Sequence, residues 1–158
     1  MHGEFGLGRH ENFSLASVRG KTYAHKGEAV AEAVLTRGRT LLVVLRVFVT
    51  VHAVAILGQP VFAGRYLIGD YGMLAMHELG ANIVSTVALA QLVPAALYWW
   101  RGGVQWPFWA SLLLAGGETA QYFAGQAGAL DLHIPLGVAL VAIALGVLFG
   151  IWRTGARR

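Results

Sequence analysis

From position 41 onward the chain alternates long apolar runs with short polar interruptions. The runs cover residues 41–62, 72–100, 104–125 and 132–152. As an α-helix the first reaches about 33 Å, against a bilayer hydrocarbon core of about 30 Å. Connections this short force consecutive helices to run antiparallel. The pattern therefore predicts an all-α fold: an integral membrane four-helix bundle, up-down-up-down, made of two similar helix hairpins. Pro107 and Pro135 are expected in first helical turns, where a missing N–H is harmless. Pro60 and Pro94 are expected to bend or end the first two helices.

Residues 1–38 follow a different pattern. Their apolar clusters are short, and Gly, Ser, Thr, His2, His10 and His25 are scattered through them. The expectation is a basic cytoplasmic tail, partly disordered, with two turns of surface helix over residues 28–35. The three histidines have no regular metal-ligand spacing. No secretory signal is expected, because no apolar core lies in the first 30 residues. The transmembrane domain is then residues 39–153, and residues 154–158 form a second basic tail.

Composition agrees with a lipid-facing surface. Hydrophobic residues make up 56% of the 158 and charged residues 13%, where soluble proteins carry roughly 25% charged residues. With no cysteine, disulfides, iron–sulfur clusters and thiolate metal sites are excluded. The charge is unevenly distributed. On the predicted topology eleven of the twelve Lys and Arg residues fall on one side, and only Arg65 on the other. The positive-inside rule puts both termini in the cytoplasm, with the protein in the cell membrane. Trp99, Trp100, Trp106, Trp109 and Trp152 cluster at the same inner interface, and the Asp70 and Asp131 turns face outward. The tail's charge suits anionic membrane lipid. No nucleotide-binding loop, hydrolytic triad or nucleic-acid module is present, so nucleic acid is not an expected partner.

The candidate chemistry lies in two stretches that share an order, QPVFAGRYLIGDYGMLAMHE (59–78) and QYFAGQAGALDLHIPL (121–136). Each runs Gln, Phe-Ala-Gly, a turn with Asp, then a helix with an early histidine, His77 or His133. On two parallel helices these histidines lie at similar depth near the outer face. Polar groups inside a membrane are expensive. Facing imidazoles there can supply the two axial ligands of a haem iron, here haem b. The alternative is that each histidine is an interfacial residue bonded to a neighbour. Gly80, Ala81 and Gly137, about one turn below the ligands, leave room for a flat macrocycle, or else tighten helix packing. Arg65 can meet a propionate, or pair with Asp70 or lipid phosphate. Gln59, Glu78, Asn82, Glu118 and Gln121 are candidate supporting groups. His52, with no histidine at its depth, is expected to be a hydrogen-bonded core or supporting residue.

These hairpins resemble one half of the haem A synthase type of membrane protein, and related small four-helix membrane proteins. The resemblance covers residues 41–152 and maps the family's histidines of the second and fourth helices onto His77 and His133. It implies a haem-binding bundle, with a homodimer rebuilding the family's two halves.

The function expected is that of a b-type cytochrome. It would pass electrons near the outer face to or from a quinone or a redox partner protein. The alternatives are an enzyme that modifies or handles haem, and a non-haem accessory subunit of a membrane complex or transporter.

Overall fold

The computed structural model describes the backbone of residues 8–155 and, from residue 26, all side chains except those of residues 29, 34 and 35. His2, the side chains of His10 and His25, and Arg157 and Arg158 lie outside the described residues. Among those described there are four α-helices and no strand: α1 (Gly8–Leu67), α2 (Met73–Trp100), α3 (Trp106–Gln126) and α4 (Leu130–Arg153). The chain divides into two compact units, Met1–Arg39 and Thr40–Arg158.

In the first unit α1 is helical from Gly8, well beyond the two turns expected. Residues 24–35 are rich in Ala and Glu, both strong helix formers, and no proline precedes Pro60. Its described side chains are mostly exposed, and the Thr36 hydroxyl donates back to the Glu32 carbonyl at 2.8 Å.

In the second unit the three connections close in the same way. Gly69, Gly102 and Gly128 have φ of 101°, 85° and 69°, a region open to glycine at little cost. Each donates its N–H three residues back, to Tyr66, Trp99 and Gly125, and the following residue donates five back, to Arg65, Tyr98 and Ala124. This paired closure is the Schellman motif, and it leaves no room for long loops. The turns also shift two expected helix ends. α1 continues through Pro60 to Leu67, and α4 starts at Leu130, so Pro135 is its sixth residue. Pro107 does occupy the first turn of α3.

The core follows a seam on each helix. Leu45, Val49 and Ile56 (α1), Val84 and Ala95 (α2), Leu114 (α3), and Leu140, Ala144, Val147 and Ile151 (α4) form one buried cluster. Steps of three and four residues keep one face of a helix inward. α3 packs against both α2 and α4. The outward faces are apolar as well: Val54, Leu89, Val93, Leu113, Val138 and Phe149 are all exposed.

Among the described residues three helices are long and apolar enough to cross a membrane: the Lys26–Leu67 part of α1, then α2 and α4. α3 was expected to be a fourth. Its 21 residues reach about 31 Å, but Ser111, Glu118, Thr119, Gln121 and Gln126 lower its hydropathy. It packs between α2 and α4, and Ser111 and Glu118 are buried.

Arg46 fastens α1 to the end of α4. Its guanidinium donates to the carbonyls of Ile151 (3.3 Å), Trp152 (3.4 Å) and Thr154 (2.7 Å), and lies 5.1 Å from the Trp152 ring centre. A cation at a helix C-terminus meets both the last free carbonyls and the negative end of the dipole. Nearby, Trp152 donates to Thr50, while Trp99, Phe108 and Trp109 stack together.

Leu113 and Leu114 separate the two faces of α3, at 62% and 1% exposure. Leu114→Ala is expected to lower the unfolding free energy in detergent by about 2 kcal/mol or more through the cavity it leaves. Leu113→Ala is expected to change it by under about 0.5 kcal/mol. Reversible denaturation followed by circular dichroism checks both.

Candidate functional site

His77 is the fifth residue of α2 and His133 the fourth of α4. Each reaches back to the helix before its turn. His77 Nδ1 lies 3.2 Å from the Gln59 carbonyl oxygen, and His133 Nδ1 lies 3.0 Å from that of Gln121. A carbonyl oxygen only accepts, and in a helix it keeps a second lone pair for such a donor. Nδ1 therefore donates from each ring, which in the neutral imidazole leaves the lone pair on Nε2. No hydrogen bond from the described residues reaches either Nε2. The ring centres are 6.0 Å apart, with planes inclined by 73°.

Both histidines line a partly enclosed cavity of about 290 Å³. Its walls are largely aliphatic, from Ile56, Val84, Leu140 and Val141, and it also receives Gln59, Glu118 and Gln121. Several polar atoms of these three residues are buried without a hydrogen-bond partner: Gln59 Oε1 and Nε2, Glu118 Oε2 and Gln121 Oε1. Buried polar atoms are rarely left unpaired, so their concentration in one cavity marks a place built to receive something polar.

Glycines position these groups. A Cβ on Gly80 would collide with the Gln59 amide, and one on Gly137 would lie 2.8 Å from Gln121 Nε2. The two hairpins thus match in detail: a glutamine supplies its carbonyl to a histidine and lays its amide over a glycine of the next helix. Gly125 makes room for a ring, since a Cβ there would lie 2.9 Å from His133 Cε1.

A second polar group lies between the helices. His52, 2% exposed, bonds through Nε2 to Glu118 Oε1 at 2.6 Å and through Nδ1 to Gln91 Oε1 at 3.3 Å. Gln91 Nε2 donates to Ser111 Oγ at 2.8 Å, and Ser111 donates to the Pro107 carbonyl at 2.7 Å. The directions follow from the last acceptor. Pro107 offers only a carbonyl, so Ser111 spends its hydrogen there and accepts from Gln91. The Gln91 oxygen then faces His52, whose Nδ1 must donate. His52 Nε2 and Glu118 Oε1 share one further proton.

The other residues singled out from sequence divide cleanly. Ala81 and Gly137 line the cavity with the two histidines. Gly80 accommodates Gln59 and is not among the lining residues. Arg65 pairs with Asp70 at 2.7 Å in the exposed turn. Glu78 and Asn82 are exposed and off the cavity. Gln91, Ser111, Ser85 and Tyr122 belong to the network or the cavity and were not anticipated. A seven-residue spacing carries the signal for the first two: Gln91 lies two heptads after His77, and Ser111 one heptad before Glu118.

Among the described residues no group of three or more His, Cys, Asp or Glu side chains is placed to hold a metal ion. The chain matches no family model, no curated protein and no solved structure.

Gly125→Ala is expected to push the His133 ring off the Gln121 carbonyl, although alanine favours a helix by about 1 kcal/mol over glycine. Gly116, where a Cβ meets nothing, serves as the control. In ¹⁵N NMR of the histidines, Gly125→Ala should lose the fixed Nδ1–H tautomer of His133, and Gly116→Ala should keep it.

Proposed function

We propose that this chain is an integral membrane four-helix bundle, up-down-up-down, holding one haem b between His77 and His133. Its role on this reading is electron transfer near the outer face of the cell membrane, with a quinone or a partner protein. The observation that carries the reading is the pair of histidines. Metal–imidazole bonds of roughly 2 Å, with ring centres about 1 Å behind the nitrogens, require centres about 6 Å apart, and 6.0 Å is the separation found. Each Nδ1–H is held by a backbone carbonyl, the usual way a ligating imidazole is fixed in tautomer and direction. The aliphatic walls suit a macrocycle.

His77 and His133 would hold haem b, which would supply a one-electron iron couple, and ligation by both imidazoles would favour electron transfer over oxygen binding. The protein's own part is to aim two nitrogens, exclude water with aliphatic walls and keep polar atoms at the cavity edge. Membrane insertion is supported by the apolar outward faces around a polar interior. Alternating helix direction is supported by the contact pairs His77–Gln59, Gln91–Ser111, His133–Gln121 and Arg46–Thr154. The basic residues and tryptophans favour cytoplasmic termini. Arg65, paired with Asp70 in the exposed turn, would have to exchange that partner to meet a propionate. A second reading, in which haem is the substrate of a modifying enzyme, draws on the free Glu118 oxygen in the cavity.

The test is an optical spectrum of the detergent-purified protein, oxidised and dithionite-reduced, with a pyridine haemochrome. The expected result is a low-spin b-type spectrum at about one haem per chain. His77→Ala or His133→Ala should abolish it, while His52→Ala should keep most of it. A colourless protein that takes up no added haem, or equal loss in all three variants, overturns the assignment.

A further inference from the structure

We infer that Glu118 and His52 form a proton-loading site that opens on the cavity and takes up a proton when an electron arrives there. The inference rests on the haem reading, but the groups that carry it are separate from the proposed ligands. Glu118 is 4% exposed and lines the cavity. One carboxyl oxygen is bound to His52 Nε2, and the other is buried with no partner. A carboxyl held on one side and free on the other is the arrangement of a proton acceptor.

The chain behind it makes the pair directional. Pro107, Ser111 and Gln91 fix Nδ1 of His52 as a donor and hold the ring in one orientation. Proton exchange is confined to His52 Nε2 and the two Glu118 oxygens. With one shared proton the pair is neutral overall, either as His52 with a protonated Glu118 or as an imidazolium with a carboxylate. A neutral pair is the form that low-dielectric surroundings tolerate. A second proton makes the pair positive, which is costly unless a negative charge arrives nearby.

Reduction provides that charge. On the haem reading, one electron from a quinol or an electrode would be taken up by the bound haem as its one-electron couple, and one proton from the aqueous phase would form an O–H bond at Glu118 Oε2. The added charges cancel, and oxidation releases both again. The other titratable groups around the cavity are His77 from α2, His133 from α4 and Tyr122 from α3. The two histidines have Nδ1 tied to carbonyls and Nε2 directed to the metal on the proposed reading. No lysine, arginine or aspartate lines the cavity among the described residues. Glu118 is the carboxyl available.

The experiment is a redox titration of the haem-loaded protein at several pH values, for wild type, Glu118→Gln and His52→Gln. Infrared difference spectra are recorded between the oxidised and reduced states. In wild type the midpoint should fall by about 59 mV for each tenfold drop in proton activity, as for one proton per electron. The protonated-carboxyl region should change on reduction, by a new band from the imidazolium–carboxylate form or by a shifted band from the neutral form. Both variants keep the ligands. Glu118→Gln should lose this change, and both should lose more than half of the pH dependence. A bis-imidazole spectrum with a midpoint independent of pH, or with a dependence that Glu118→Gln leaves intact, overturns the coupling alone. A protein that takes up no haem overturns the haem reading and the coupling with it.

Discussion

Each helix of the second unit has one inward face, and that face has to serve two purposes. It repeats every seven residues: Leu45, His52 and Gln59; His77, Val84 and Gln91; Ser111, Glu118 and Gly125; His133, Leu140 and Val147. Apolar and polar side chains therefore share the same seams. A polar group there has no water to turn to, and one left unpaired costs on the order of 1–3 kcal/mol. The polar side chains must find one another across helices, which fixes the helices' register as firmly as the packing does. Leu45 and Ile151 sit fully buried in the same seams.

The three described histidines show how partners set chemistry. His52 has both nitrogens occupied, by Glu118 and Gln91, so it is a link in a chain and has no lone pair to offer a metal. His77 and His133 have one nitrogen occupied each, by an acceptor that cannot give a proton back. That leaves a directed lone pair on each ring, facing the same cavity. A backbone carbonyl is the better partner for this purpose than a carboxylate, because its bond does not depend on protonation state.

Much of this is legible in the sequence. The apolar runs give four helices, and the repeated Gln, Phe-Ala-Gly, Asp and His order marks the two turns that bring His77 and His133 to one cavity. Helix ends are less legible, because a glycine turn can close a helix several residues from where hydropathy falls. α1 runs five residues past Phe62 to Gly69's turn for that reason. Gln59 and Gln121 are legible as supporting groups, but not the main-chain oxygens through which they hold the histidines, which every residue has. Gln91 and Ser111 are missed for a different reason. Each looks like an isolated polar residue in an apolar run, and only the seven-residue spacing puts them on the face of His77 and Glu118. For Arg65 the sequence leaves a propionate, Asp70 or lipid phosphate as partners, and the structure has it on Asp70, five residues on.

The position of the cavity limits what one chain can do. His77 and His133 lie within the first two turns of α2 and α4, whereas Arg46, Trp106 and Trp152 mark the other end of the same unit. Between them stands the His52 network, whose histidine is already saturated. The unit thus has no second described pair of imidazoles at the tryptophan end to receive an electron from the first. On the proposed reading, donor and acceptor must both reach the His77–His133 end. Transfer of electrons across the whole membrane would require more than the one haem of this reading.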